Sequence, residues 1–249
     1  MTELVHYEIA AGVGTVTLDS PKNRNALSRQ LTTELFDTLT AAQDDESVVV
    51  VIRSADRVFC SGADLSEAAS GGMEDGAKFL VEMQRLIVTH PKPIVVRLGG
   101  PVRAGGLGIV ASADLAICAD DVTFAFTEAR LGLAPAVISL TVLPRLTSRA
   151  ASDTFLTGRT FDASEAAAMG LVTRVVPGDE LDAEIARTCA DLMEAHPQGL
   201  AETKALLATD ILERIDAKAA EMATLSARLF ASDGAREAMT RFLERRASS

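Results

Sequence analysis

The chain of 249 residues contains no tryptophan, a single tyrosine (Tyr7), three cysteines and three histidines. Aromatic residues are 4% of the chain, which leaves few platforms for stacking nucleobases. A formal net charge of -11, with no run of Lys or Arg, argues further against a nucleic-acid partner. Cys60, Cys118 and Cys189 are odd in number, far apart and in no CxxC pair, so they suggest neither a disulfide framework nor a zinc site. They read as reduced, largely buried small hydrophobes. His6, His90 and His196 stand near no nucleophile motif, and no GxSxG elbow is present, which disfavours a hydrolase with a histidine base. No stretch reaches the roughly 18 to 20 apolar residues of a membrane helix. "MTELVHYEIAAG" carries acids where a secretory signal would be basic. The expectation is a soluble cytoplasmic protein with no metal site and no membrane partner.

What remains is an ordinary globular balance, 48% hydrophobic and 24% charged, enough for one large α/β domain or for one domain with a helical appendage. "VHYEIAAGVGTVTLD" alternates as a hairpin turning at Gly12. Leu27, Leu31, Leu35 and Leu39 then fall at helical spacing, with Ser28 or Asn25 available as the cap. "SVVVVIRSA" and "PIVVRL" read as strands covered on both faces, and "AKFLVEMQRLIVTH" as a helix broken by Pro91 and Pro93. "GGLGIVASADLAICA" reads as a helix feeding a strand, and "VTFAFTE" as a further strand ending at Glu128. This alternation predicts a mainly parallel sheet with crossover helices. From about Asp162 the pattern turns helical, with Gly170 as a C-cap. The expected division is a core over residues 1–195 and a helical region over 196–249.

Two glycine-containing turns and one acid stand out. "FCSGADLS" could aim backbone N–H groups around Gly62 at an oxyanion, or could be only a tight connection. "AGGLG" from Ala104 lacks the third glycine of a dinucleotide fingerprint and the Lys of a phosphate loop. Two glycines at a helix N-terminus would suit an anion or a polarised carbonyl oxygen. Glu128 follows an apolar strand, where burial would raise its pKa and suit it to proton transfer. A capping or Arg130-paired surface acid is the alternative.

These stretches, with "SPKNRNALS", "LTGRTFDASEAAAMGLVTRVVP" and "LFASDGAREAMTRFLERR", resemble the enoyl-CoA hydratase/isomerase (crotonase) family over essentially the whole chain. The resemblance implies an α/β crotonase fold: a spiral of repeated ββα units with a C-terminal helical trimerisation region, assembled as a homotrimer or dimer of trimers. It implies an acyl-CoA thioester as substrate, coenzyme A being part of that substrate rather than a separate cofactor. By resemblance, Ala63 and Gly105 supply the oxyanion hole and Glu128 is catalytic. Lys22, Arg24 and Ala26 lie along the CoA nucleotide, with Ser61 near the adenine. Asp64, Leu65 and Ala136 also belong to the substrate-binding set. Phe230, Phe242 and Arg245 match positions that reach the CoA of another subunit.

One departure stands out. The second glutamate that typical hydratases use falls on Gly108 here, so only Glu128 is retained. The text is most similar to the single-glutamate, methylglutaconyl-CoA hydratase-like branch, whose substrates carry a second carboxylate. Arg103 is the candidate partner for that carboxylate, a solvent-facing or intersubunit arginine being the alternative. The expected activity is hydration of a 2-enoyl-CoA. A delta3-delta2-enoyl-CoA isomerase and a non-catalytic acyl-CoA binding protein are the alternatives. "SEAASGGMEDGAKFLVEM" and "APAVISLTVL" are expected to line the acyl pocket, with Gly71, Gly72 and Gly76 in either a mobile or a merely exposed loop.

Overall fold

The computed structural model describes residues 2–64, 67 and 73–247. Its main sheet opens with an antiparallel hairpin, β1 (Val5–Ala10) and β2 (Val13–Leu18), in the register Val5 to Leu18 through Ala10 to Val13. From β2 onward every pairing is parallel. β3 (Val49–Ser54), β4 (Ile94–Leu98), β6 (Leu115–Ala119) and β9 (Arg174–Val176) follow one another in space. Strands covered by helices on both faces must be apolar on both, and Val49, Val50, Val51 and Ile52 are all buried. A second small sheet joins β5 (Val102–Arg103), β7 (Thr123–Ala125) and β8 (Phe161–Asp162).

The local chemistry explains the helices. α1 (Arg29–Ala41) begins at Ser28, whose side chain accepts the Leu31 N–H, and it buries Leu31, Leu35 and Leu39 completely. Asn25, the other expected cap, does a different job. Its Oδ1 accepts the Ser20 N–H at 2.7 Å and its Nδ2 donates to Val58 O at 3.0 Å, closing the loop before α1. α2 (Met73–Thr89) ends just before Pro91, and Gly76 lies in its first turns. α3 (Gly105–Ser112) is wholly buried after its first residue. The short α4 (Ser139–Val142), α5 (Ser148–Thr157) and α6 (Ala163–Met169) follow, the last with a capping box between Asp162 and Glu165 and with Gly170 at its left-handed C-cap.

One expected strand is shorter than its sequence suggests. β7 stops at Ala125 because its partners run out: β5 has two residues, and β8 pairs only Thr123 and Phe124. Phe126 turns inward against Phe155 and Phe161, with ring centroids 4.5 and 5.8 Å away. Glu128 therefore opens a 3-10 turn, Glu128–Leu131, rather than ending a strand.

α7 (Leu181–Met193), the long α8 (Pro197–Phe230) and α9 (Asp233–Ala247) complete the chain. α8 folds back along α2 of the same chain. Ala208, Ile211, Ile215 and Ala223 pack with Ala77, Val81, Val88, Val137 and Leu140 in an apolar cluster separate from the sheet's core. A buried cation anchors the start of this helix. Lys204 Nζ, 5% exposed, donates to Ile87 O, Lys92 O and Asp114 Oδ2, the last at 2.7 Å. Burial lowers its pKa against the pull of Asp114. Removing one partner of such a pair leaves an uncompensated buried charge, so Asp114→Ala is expected to lower the unfolding free energy by about 3 kcal/mol in chemical denaturation. Adding Lys204→Met should recover most of that loss. A loss below about 1 kcal/mol would mean that water reaches the ammonium group.

Candidate active site

Two loops meet above the sheet. Ser61 N–H donates to Arg24 O at 3.1 Å and Ser61 Oγ to Asn23 O at 3.0 Å. Asn23 Nδ2 reaches Asp64 Oδ2 at 3.0 Å, and Leu27 N–H donates to Gly62 O at 2.8 Å. The structure thus brings the loop of Lys22, Arg24 and Ala26 against the loop of Ser61, Ala63 and Asp64. On the other side, Arg103 N–H donates to Cys60 O and Ala104 N–H to Ala125 O, which fixes the turn into α3.

That turn is strained. Ala104 adopts φ 45°, ψ -120°, a region that costs a non-glycine residue on the order of 1–3 kcal/mol and that recurs where structure serves a site. Gly62 makes room for it. At φ +95°, a Cβ on Gly62 would stand 2.9 Å from the Ala104 methyl. The close approach sets Ala63 and Gly105 side by side, since a Cβ on Gly105 would lie 4.0 Å from the Ala63 nitrogen. Gly105 is the first residue of α3, so its N–H has no partner within the helix and lies at the positive end of the helix dipole.

Beside these loops is a cavity of about 400 Å³. Ala63, Asp64, Gly105, Glu128, Ala136 and Phe230 of the expected residues line it. Sequence reasoning named the two segments that supply Phe79, Leu80, Val137 and Ile138, but not those individual residues. Leu27, expected on the leucine face of the first helix, instead lies before α1, bridged to Ala63 in the cavity wall, and Ser226, also in the wall, carries no sequence signal beyond being small on a helical stretch.

Glu128 is the charged group that burial affects most here. Loss of solvent pushes its carboxyl up to about 7, against a smaller lowering by a hydrogen bond to its own backbone. Its Oε2 is buried with no hydrogen-bond partner. An unsatisfied buried carboxyl oxygen in a cavity wall is costly, and it can take or give a proton at whatever enters.

Other expected residues lie elsewhere. Arg103 does not line the cavity. Its Nη1 donates to Thr123 O at 2.5 Å and Val102 O at 2.9 Å, and its Nη2 to Thr123 Oγ1 at 2.9 Å, so the guanidinium lies along β7. The half-buried guanidinium is thus engaged with β7 rather than with the described wall of the cavity. Among the described lining residues the cation is Arg29. Phe230 lines the cavity of its own chain, because α8 folds back along α2. Lys22, Arg24, Ala26 and Ser61 adjoin the site through the loop contacts but do not line the cavity. Phe242 lies on α9, 38% exposed. Leu65, Gly71, Gly72 and the side chain of Arg245 fall outside the described residues. No group of three or more His, Cys, Asp or Glu among the described residues is arranged to hold a metal ion. No described helix is long and apolar enough to cross a membrane.

Comparison with known proteins places this architecture. A crystal structure of an enoyl-CoA hydratase from Mycobacterium avium superposes with a TM-score of 0.92 at 43% identity, covering 98% of both chains. Another, of an enoyl-CoA hydratase from Mycobacterium avium subsp. paratuberculosis, gives 0.87 at 28% identity over 97% of this chain and 96% of that one. A Thermus thermophilus protein bearing the enoyl-CoA hydratase name is 32% identical over 202 residues, 78% of this chain and 80% of its own. The fold is the crotonase fold. With residues 8–249 matching the model of that family, the chain belongs to the enoyl-CoA hydratase/isomerase family.

Proposed function

We propose that the protein hydrates a 2-enoyl-CoA, with Glu128 as its one acid–base group. The observation that carries this reading is the buried, unpartnered Oε2 of a carboxyl whose pKa is about 7. Such a carboxylate can take a proton from water as the oxygen attacks C3, then return a proton to C2. Between the two steps the negative charge rests on the thioester oxygen as an enolate. The adjacent N–H groups of Ala63 and Gly105 are the proposed donors to it, at about 3 Å from the charged oxygen. Lys22, Arg24, Ala26 and Ser61 would follow the CoA nucleotide along the loops that carry them. Leu65, Phe242 and Arg245 belong to the same proposed binding set. A homotrimer is the proposed assembly, and the exposed Leu206 and Leu207 of α8 suit an interface. A glutaconyl-type substrate would need a cation for its second carboxylate. With Arg103 held by Thr123, the described wall offers Arg29.

A second reading, isomerisation of a 3-enoyl to a 2-enoyl ester, is favoured by the packing around Gly108, a position that carries no acid to hold water and is covered by Ile138. Glu128 would then carry a proton from C4 to C2. Following the conjugated thioester absorbance separates the two. The hydration reading expects loss of the chromophore from a 2-enoyl-CoA. A gain from a 3-enoyl-CoA with no loss from the 2-enoyl ester would replace hydration by isomerisation. Tight binding without either change, across acyl groups of several lengths, would leave an acyl-CoA binding protein.

A further inference from the structure

Gly108 lies in the second turn of α3 and is buried, and its bare backbone is covered by a side chain from the segment that precedes α4. A Cβ at position 108 would stand 2.8 Å from Ile138 Cγ2 and 3.4 Å from both Ile138 Cβ and Gln84 Cδ. The first distance is below any that real Cβ atoms keep, so a side chain at 108 would have to displace Ile138. Gln84 limits where Ile138 can go. This fully buried amide donates to Leu80 O at 3.2 Å and Val137 O at 3.4 Å, and it accepts from Thr141 Oγ1 at 2.7 Å. It therefore ties α2 to the segment that carries Ile138. Ile138 itself lines the cavity, so a shift of its side chain changes the cavity wall.

We infer that the seating of Ile138 on Gly108 sets the acyl-size limit of the cavity, and that the cavity takes an uncharged acyl chain longer than four carbons. The inference rests on the acyl-CoA reading above. The wall on this side is apolar, formed by Phe79, Leu80, Val137, Ile138 and Phe230. An acyl tail ending in a carboxylate would meet Asp64, Glu67 and Asp75 among the lining groups, against Arg29 alone. The bare backbone at 108 lets Ile138 seat against α3, and on this inference a Cβ there pushes Ile138 toward the acyl chain.

Binding of saturated thioesters tests this without depending on turnover. Butyryl-CoA, octanoyl-CoA and an eight-carbon acyl-CoA ending in a carboxylate are titrated calorimetrically into the unmodified protein, Gly108→Ala, Ile138→Ala and the double variant. The unmodified protein is expected to bind octanoyl-CoA at least about tenfold more tightly than either other ester, since a few methylenes in an apolar pocket are worth that much. Gly108→Ala should cut the octanoyl-to-butyryl ratio about tenfold, and adding Ile138→Ala should restore it to within about threefold. Alanine is the better helix former, so helix propensity does not oppose the change at 108. Ile138→Ala alone should raise the ratio, which gives a second reading should Gly108→Ala lower the melting temperature. An unchanged ratio in Gly108→Ala, no recovery in the double variant, or equal binding of the carboxylate-tipped ester would overturn the inference. Failure of the unmodified protein to bind any of the three esters would overturn the acyl-CoA reading instead.

Discussion

Glu128→Gln is expected to lower kcat about a thousandfold and, at pH 8, to make the protein more stable. The first effect follows from removing the buried carboxyl in the cavity wall that is proposed to move the proton, since positioned proton transfer contributes about 10²–10⁴ in rate. The second follows from the cost of ionising a carboxyl that has lost its water. Burial raises the Glu128 pKa from 4.5 to about 7, so the folded chain holds this proton more tightly than the unfolded chain does. Stability therefore falls as pH rises through the interval from about 4.5 to about 7, and the full cost, about 3 kcal/mol, applies above it. Glutamine has nearly the same shape and never ionises, so it escapes that cost while leaving a neutral amide to find partners. The two proteins should unfold alike near pH 4 and diverge by up to about 3 kcal/mol at pH 8. The same titration predicts that kcat/KM of the unmodified enzyme rises through about pH 7, because the group must be a carboxylate to accept a proton. Equal stability of the two proteins at every pH would place water at Glu128. Full turnover by the variant would remove Glu128 from the chemistry.

What the sequence made legible follows from which features are periodic and which are contacts. The hairpin at Gly12, the leucine face of α1, the doubly covered strands and the capped helix after Asp162 all come from local patterns, and the structure has each of them. The end of β7 does not, because strand length there is set by the two-residue partner β5 and by β8 from a distant part of the chain. Glu128 could be singled out as an acid at the end of an apolar run, but its burial depends on neighbours far away in sequence. Arg103 shows the converse. Its place just before Ala104 and Gly105 suggested a side chain aimed at the acyl group, while a strand residue's direction is decided by the ladder. Here the guanidinium lies along β7 and is taken up by Thr123. The strained turn at Ala104 was hidden for the same reason: an alanine carries no signal of positive φ, which here is imposed by the contacts of Cys60 and Ala125 on either side. The covering of Gly108 joins Ile138 and Gln84 across gaps of 30 and 24 residues, and no spacing rule reports such a contact.

Gly105→Ala should lower kcat/KM about 10²–10³-fold with the fold intact, a loss of about 3–4 kcal/mol of transition-state stabilisation. The backbone does not forbid the change. Gly105 is outside the positive-φ residues and opens a helix, where alanine is favoured over glycine. What changes is the space between the two loops. The new methyl would stand 4.0 Å from the Ala63 nitrogen and 2.9 Å from Leu27 Cδ1, with Leu80 Cδ2 at 3.7 Å. The Leu27 methyl can swing aside, but the position that faces Ala63 N–H is where a thioester oxygen would have to sit to meet both donors. A displaced oxygen loses one hydrogen bond, and loses it most severely when it carries the enolate charge. The effect should therefore fall on kcat, with the affinity for a saturated acyl-CoA changed less than about fivefold, because the ground-state carbonyl is a weaker acceptor than the enolate. Combining Gly105→Ala with Glu128→Gln should cost less than the sum of the two, since both act on the same charge as it develops. A kcat within about threefold of the unmodified protein would show that charge does not develop between Ala63 and Gly105. In that case the strain held at Ala104 would need another explanation than the placing of these two N–H groups.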